Sequence, residues 1–416
     1  MTALGQPVPT SAQERIQLLD VIRGFALFGI LMMNIEFFQR PPVSMPLGFD
    51  MSQVGADFEV ARWVYGFIQG KFYTMFSLLF GIGFVIFLDR AAAKTEHPKR
   101  LFFRRIFFLG IFGAIHAFLI WSGDILLIYA FVGLFLLLFT KKEPEQLRSW
   151  AIGLLSFAPA LMLAFGAIAS LAMATSDGAK MMEGNAEFLA HITAIAAQGS
   201  EVYSSGRWVE AVQYRMVEMS TLYLGAGLIF MVPPILGMFL LGSYLFKSGL
   251  FTGAPEKSFR SFKKMMIRGY VIGIPLATFL AIGGLEMDLV MPNFKSSLIF
   301  FVQAGSNIAL CLAYVGTLGW LWHSGKKWVG LFAPAGRMAL SNYLAQSVIF
   351  TFLFYGYGFG LYGQLGRAEA TLIAIAVYIL QLFVSRWWMS THQYGPMEWI
   401  WRTLTYGGVR ASKNKV

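Results

Sequence analysis

Long apolar stretches, separated by short polar segments, make up most of this chain. Ten of them approach or exceed the roughly 20 residues that a helix needs to cross a bilayer. They cover about residues 18–38, 63–88, 102–122, 124–140, 150–174, 220–246, 268–290, 297–322, 335–355 and 370–388. The pattern predicts an all-α, polytopic helical membrane protein, a single integral-membrane domain over residues 1–416 with about ten transmembrane helices.

The basic residues test this interpretation independently. If the N-terminus is cytosolic, 25 of the 33 Lys and Arg residues fall on the cytosolic side of the predicted helices. Such a bias at alternate loops is what the positive-inside rule requires, so both termini are predicted to be cytosolic. The same topology places an outer-face loop at 175–218, where short amphipathic helices can form, and a cytosolic interfacial tail at 389–416.

Composition narrows the class of the protein. Hydrophobic residues make up 57% of the chain and charged residues 13%, against about 25% charged residues in soluble domains. The net charge of +11 is distributed between the apolar stretches, so we expect contact with membrane lipids and no nucleic-acid partner. The five histidines include no pair at ligand spacing, and no metal site is predicted.

One histidine and one aspartate stand out in the apolar region around 102–140. His116 lies eleven residues after Arg105, about 16 Å into the membrane, and Asp124 follows eight residues later. Ionisable side chains at this depth are costly and usually functional. The predicted catalytic pair is therefore His116 as general base and Asp124 as the carboxylate that orients it. The alternative is that His116 donates to a carbonyl and Asp124 caps the next helix.

The segment between the two residues allows two arrangements. If a helix continued through Gly123, the eight-residue spacing would place His116 and Asp124 on related faces, because eight residues are just over two turns. If Gly123 breaks the helix, the carboxylate can fold back toward the imidazole ring.

Further polar groups lie at the predicted cytosolic end. Asp20 and Arg23 are three residues apart on the first helix and can form an ion pair. Arg337, Ser341 and Asn342 lie near the start of another predicted helix, whose N-terminus adds positive potential. These five residues are predicted to bind the phosphates of a cofactor. An interfacial ion pair and ordinary orienting charges are the alternative explanation.

Five segments in order along the chain carry a resemblance to a known family. They read LLDVIRGFALFGILMMN, KFYTMFSLLFGIGFVIFLDRA, HAFLIWSGDILLIYAFVGL, GRMALSNYLAQS and GPMEWIWRTLTYG. Together they resemble the YeiB family, a bacterial group of polytopic membrane proteins, nearly from end to end. That family is grouped with the transmembrane acyltransferases, which include the lysosomal heparan glucosaminide N-acetyltransferase.

The resemblance implies an integral-membrane acyltransferase in a bacterial inner membrane. It would move an acyl group from cytosolic acyl-CoA, as co-substrate, to a hydroxyl or amine of a small-molecule, lipid or glycan acceptor. This chain differs from the lysosomal enzyme in one feature. The catalytic histidine of that enzyme precedes its second conserved helix. The corresponding stretch here, ADFEVARWVYGFIQGKFYTMF, contains no histidine. His116 takes that role in our prediction.

Two other functions are compatible with the same residues. In a proton-coupled transporter or lipid flippase, His116 and Asp124 would relay protons. In a non-catalytic scaffold or sensor, no polar cavity would reach His116. The sequence does not determine the oligomeric state, and a homodimer is one option.

Overall fold

The computed structural model describes residues 16–173, 175, 178–223, 227–285 and 293–407. Its helices are α1 (Gln17–Phe37), α2 (Gly55–Phe67), α3 (Lys71–Ala92), α4 (Pro98–Ile115), α5 (Leu126–Phe135), α6 (Pro144–Ala172), α7 (Gly178–Ser205), α8 (Trp208–Tyr223), α9 (Gly227–Lys247), α10 (Pro255–Gly283), α11 (Phe294–His323), α12 (Ala333–Arg337), α13 (Ala339–Phe354), α14 (Arg367–Thr391) and α15 (Pro396–Tyr406). These ranges contain no strand, so the all-α prediction is confirmed.

Within the described ranges, eight helical segments are long and apolar enough to cross a membrane. Two shorter apolar helices, Leu126–Phe139 and Ala339–Phe354, coincide with the two remaining predicted stretches. The chain is therefore a multi-pass membrane protein. Residues 1–15, 286–292 and 408–416 lie outside the described residues, and the cytosolic location of both termini stays a prediction.

Helix α1 lies at the centre of the bundle. Protein buries 78% of its apolar span, compared with 28% for α6, α10 and α14. It packs against α3, α12, α13 and α14. Because lipid and protein neighbours are equally apolar, hydropathy alone does not distinguish this central helix from the peripheral ones.

Small residues allow the neighbouring helices to approach closely. Gly81 of α3 faces the backbone of Phe239 in α9, and Gly242 of α9 faces the backbone of Leu78 in α3, with no room for a Cβ atom at either glycine. Helices in membranes associate through such close packing, since the lipid supplies little hydrophobic driving force between them.

The segment predicted as an outer-face loop forms two helices, which are longer than the short amphipathic helices expected there. Helix α7 has 28 residues and α8 has 16. They pack into the protein as well as covering it, since Ile192, Tyr203 and Tyr214 are buried. Helix α8 thereby reaches the segment that follows α4, where the candidate site lies.

The predicted interfacial tail begins with α15, which is attached to α4. Trp401 donates from Nε1 to the backbone oxygen of Arg105 over 2.9 Å. The guanidinium carbon of Arg105 lies 3.7 Å from the centre of the Trp401 ring, within cation–π range. Residues 408–416 of the predicted tail lie outside the described part of the chain.

Candidate functional site

His116 contacts a carboxylate on one side and a hydroxyl on the other. Its Nδ1 lies 2.7 Å from Oδ1 of Asp124, and its Nε2 lies 2.8 Å from Oγ of Ser347. His116 is fully buried, Ser347 is 1% exposed and Asp124 is 5% exposed. The predicted contact between His116 and Asp124 is present, and the structure adds Ser347 as a third member.

A change of helix geometry positions the two predicted residues. Helix α4 continues into a single π-helical turn, His116–Ile120, in which Trp121 N–H donates to the carbonyl of His116 over 2.8 Å. Trp121 is extended, and α5 begins only at Leu126. The helix therefore does not continue through Gly123, and the carboxylate of Asp124 folds back to the ring. Isolated π-turns of this kind are frequent at functional sites.

The carboxylate of Asp124 has two partners. Oδ1 contacts His116, while Oδ2 accepts the N–H of Leu127 over 2.6 Å. Asp124 therefore also caps α5, which was the structural alternative to a catalytic role. Since the cap uses only one oxygen, the two roles are compatible.

The contacts select one protonation pattern. Asp124 can only accept when ionised, so Nδ1 of His116 carries the hydrogen and donates it. Nε2 is then an acceptor for the hydroxyl hydrogen of Ser347. A serine hydroxyl, an imidazole and a carboxylate connected in this order form the arrangement that activates a serine nucleophile.

Aromatic side chains surround the three residues. The ring centre of His116 lies 5.0 Å from that of Tyr343 and 6.2 Å from that of Trp121. Trp121 stacks on Phe38 at 4.2 Å. Tyr343 donates to the carbonyl of Gly123 over 3.3 Å, which attaches α13 to the turn before Asp124. A cavity of about 60 Å³ lies elsewhere, between α3, α6 and α9, and does not include the site.

Helix α8 fixes the segment that follows His116. Arg215 and Trp208 both donate to the carbonyl of Leu119 over 3.0 Å. Glu218 accepts from the hydroxyl of Ser122 and, over 2.8 Å, from the hydroxyl of Tyr203. Arg215 and Glu218 are fully buried, which makes α8 a part of the support of the site rather than a solvated connector.

Glu218 should make stability depend on pH. Burial raises the pKa of Glu218 above its ordinary value near 4.5, outweighing its hydrogen bonds. A raised folded-state pKa means that the stabilisation is complete below the unfolded pKa and is lost as pH rises through the folded pKa. The quantity to follow is the difference in melting temperature between the wild type and Glu218→Gln. We expect this difference, wild type minus variant, to decrease as pH rises from about 4.5.

Thermal unfolding in detergent at several pH values measures this difference. Glu210→Gln is the control, because a hydrogen bond from the backbone N–H of Arg207 lowers the pKa of the exposed Glu210, and its small contribution is lost as pH falls. A difference for Glu218→Gln that is constant with pH, or that increases with pH, contradicts the expectation.

The five residues predicted to bind cofactor phosphates lie at one end of the bundle, and the structure shows what else they contact. Arg23 forms an ion pair with Asp20 at 3.0 Å, and Arg337 donates to the carbonyl of Gln393 over 3.1 Å. Helix α12 packs against α1, where Gly336 lies against the backbone of Asp20. The two guanidinium groups therefore lie on packed neighbouring helices.

Ser341 and Asn342 have internal partners. The hydroxyl of Ser341 donates to Glu398 of α15, and the amide nitrogen of Asn342 donates to Ser385 of α14 over 2.9 Å. Gln346 continues this buried polar contact, donating to Gln381 over 2.8 Å. These polar side chains of α13 therefore contact protein, and phosphate binding by Ser341 and Asn342 stays a prediction.

Ser347 is the site residue that sequence reasoning missed. It closes the GRMALSNYLAQS segment and lies four residues after Tyr343 and four before Thr351, so all three share a face of α13. That spacing was the available signal. Nothing in the sequence connects this face with His116, which lies 231 positions away in the chain.

Among the described residues, no group of three His, Cys, Asp or Glu side chains could hold a metal ion.

A bacterial relative decides the family. The chain is 36% identical over 415 residues to "Uncharacterized protein YxaH" of Bacillus subtilis, with 96% of both chains covered. The chain belongs to the YeiB family. It is also 28% identical to "Uncharacterized protein YeiB" of Escherichia coli, over 94% of this chain and 96% of that one.

A family sequence model agrees with this assignment. The model described as "Protein of unknown function (DUF418)" matches residues 245–408, a range that contains Ser347. No solved structure matches the chain. The names of these YeiB-family relatives state no activity, so the geometry of the site has to support any functional conclusion.

Proposed function

We propose that the protein is an integral-membrane acyltransferase in which Ser347 carries the acyl group between donor and acceptor. The observation that supports this most directly is the order of contacts Ser347 Oγ, His116 Nε2, His116 Nδ1 and Asp124 Oδ1, with spacings of 2.8 and 2.7 Å. These are hydrogen-bond distances for a nucleophile, its general base and the group that orients the base.

The first half-reaction acylates Ser347. His116 Nε2 removes the hydroxyl proton as Oγ attacks the carbonyl carbon of an acyl-CoA thioester. A C–O bond forms, the C–S bond breaks, and the leaving thiolate takes the proton from His116. Asp124 stabilises the imidazolium that exists between the two proton transfers.

The second half-reaction releases the acyl group. His116 removes a proton from the hydroxyl or amine of the acceptor as that group attacks the acyl-serine ester. Oγ of Ser347 leaves and takes the proton back. The sum is acyl-CoA plus acceptor giving acyl-acceptor plus free CoA, and the protein returns to its starting state.

Burial of the site favours transfer over hydrolysis. Water that reached an acyl-serine would compete with the acceptor, and the aromatic shell of Tyr343 and Trp121 excludes it. The same shell has to move for a substrate to reach Ser347. Arg23 and Arg337, on packed helices at the predicted cytosolic end, are the groups that we assign to the CoA phosphates.

The position of the site fits the proposed topology. Ser347 lies eight residues after the first residue of α13, about 12 Å along that helix, which is comparable with the depth of about 16 Å predicted for His116 from Arg105. The relatives come from Bacillus subtilis and Escherichia coli, and we assign the protein to the bacterial inner membrane.

The test is to trap the acyl-enzyme. Purified protein incubated with acetyl-CoA and longer acyl-CoA donors, without acceptor, should gain the mass of one acyl group, and peptide mapping should place it on Ser347. Ser347→Ala should gain none. Ser306→Ala is the control, because Ser306 is also fully buried but lies on α11 with no hydrogen-bond partner. Unmodified wild type with every donor, or acylation that survives Ser347→Ala, contradicts the proposal.

A proton-coupled transporter is the second candidate. The buried pair His116 and Asp124 favours it, because imidazole and carboxylate groups relay protons in pumps. It leaves the contact between His116 and Ser347 unexplained. Proton-coupled uptake by reconstituted protein, together with no acylation of Ser347, would establish this alternative.

A further inference from the structure

Beside the site, three buried polar atoms on neighbouring side chains make no direct hydrogen bond within the part of the chain that the structure describes. They are Nε of Arg215, the hydroxyl of Tyr355 and the hydroxyl of Tyr362. The ring centres of Tyr355 and Tyr362 are 6.0 Å apart, and the guanidinium carbon of Arg215 lies 5.8 Å from the ring centre of Tyr355. Arg215 and Tyr355 are fully buried. We call these three residues the outer polar cluster.

Unpartnered groups in such a position are unusual. A buried donor or acceptor without a partner costs about 1–3 kcal/mol, and native proteins contain few of them. The neighbouring tyrosines show that local partners exist, since Tyr203 donates to Glu218 and Tyr214 donates to the carbonyl of Ile195 over 2.8 Å. An occupant that supplies hydrogen-bond acceptors would complete the outer polar cluster.

The charges of the cluster indicate the chemistry of that occupant. Within the described residues, no carboxylate lies within 4 Å of a guanidinium nitrogen of Arg215. The carboxylate of Glu218 is already bonded to Ser122, Tyr203 and the N–H of Val43. The hydroxyl of Tyr355 is a phenol, which is protonated at neutral pH and can donate. Glu218 acts on Arg215 electrostatically without forming a direct ion pair with it. Three donors, one of them a buried cation that makes no direct contact with a carboxylate, suit an oxyanion.

The location connects the cluster to the site. Arg215 also donates to the carbonyl of Leu119, in the π-turn that begins at His116. Tyr355 follows the last residue of α13, the helix that carries Ser347. The cluster therefore lies between the triad and the predicted outer face, on the side from which an acceptor would approach.

We propose that Arg215, Tyr355 and Tyr362 bind a phosphate or carboxylate group of the acceptor. The binding of an oxyanion stands on the cluster alone, whereas its assignment to the acceptor rests on the proposed acyltransferase function. The oxyanion can belong to a soluble molecule or to a lipid headgroup, and these two sources are separated by experiment.

The test uses the double variant Tyr355→Phe/Tyr362→Phe, which removes the two hydroxyls of the outer polar cluster and, at Tyr362, an interaction with Ser200. The melting temperature of the full chain is measured in a neutral detergent with increasing concentrations of inorganic phosphate or acetate. It is also measured in nanodiscs of phosphatidylcholine with or without phosphatidylglycerol. We expect an anion to raise the melting temperature of the wild type. The double variant should bind that anion at least about 10-fold more weakly, since it loses two hydrogen bonds to a charged group.

Tyr214→Phe is the matched control, because it removes a hydroxyl that is bonded to Ile195; it should lower the melting temperature without changing anion affinity. Stabilisation by phosphate or acetate indicates a soluble acceptor, and stabilisation only by phosphatidylglycerol indicates a lipid headgroup. Equal anion affinity of wild type and double variant, or no stabilisation by any of the anions, overturns the proposal.

Binding is measured without acyl-CoA, which keeps the two proposals separate. If the cluster binds an anion but Ser347 is never acylated, only the proposed acyltransferase function is overturned. If acyl transfer proceeds with equal acceptor KM in the wild type and the double variant, only the assignment of the oxyanion to the acceptor is overturned.

Discussion

Replacing His116 by glutamine should abolish acyl transfer from acyl-CoA while the protein stays folded. Glutamine is similar in size to histidine and can donate to Asp124, but it cannot take the proton of Ser347. Without that base the hydroxyl stays protonated, and we expect the transfer rate to fall by about 10⁴-fold or more. His116→Ala should lose the same activity and also stability, because it leaves a cavity and an unpaired buried carboxylate.

The rate is measured with purified protein by the release of free CoA, and folding by size-exclusion chromatography and thermal unfolding. His323→Gln is the control, since His323 stacks on Phe262 at the end of α11, away from the site. Full activity in a folded His116→Gln variant would exclude His116 as the base.

Changing Asp124 to asparagine should have an effect of similar size through the tautomer of His116. In the wild type, one carboxylate oxygen accepts from His116 and the other from the N–H of Leu127. Asparagine has only one side-chain oxygen for these two donors. If that oxygen keeps the cap on α5, its NH₂ group faces the ring and favours hydrogen on Nε2, which then cannot accept from Ser347.

We expect kcat to fall by about 10⁴-fold and the free energy of unfolding to fall by about 1–3 kcal/mol. Nitrogen NMR of labelled imidazole separates the two effects, because it reports which ring nitrogen of His116 carries the hydrogen. Asp57→Asn is the control, since Asp57 accepts the N–H of Ala368 at the start of α14. It should lower stability only. An unchanged tautomer with normal kcat in Asp124→Asn would mean that Asp124 does no more than cap α5.

Each of the ten apolar stretches contains helix among the described residues because hydropathy depends on local composition, which a sequence displays directly. The positions of the helix ends were less predictable. The stretch predicted at 63–88 is divided between α2 and α3, which are separated at 68–70. Helices α7 and α8 also exceed the short amphipathic helices expected at 175–218, because their buried face packs on protein that the sequence does not identify.

The candidate site was predicted in part. His116 and Asp124 could be singled out because an ionisable group is costly in an apolar environment wherever its partners are. Ser347 could not, since a hydroxyl in a membrane helix can bond to the carbonyl four residues earlier and needs no other partner. Its Oγ lies 3.4 Å from the carbonyl of Tyr343, which is that local alternative.

By itself, the sequence determined that the chain crosses the membrane repeatedly, that His116 and Asp124 require an explanation, and which family it resembles. Only the tertiary structure decided that the helix ends in a π-turn before Gly123, that Ser347 contacts His116, and that α8 supports the turn between them. The reason is physical: the cost of placing a residue in an apolar environment depends on that residue alone, whereas a hydrogen bond depends on which distant residue the fold places beside it.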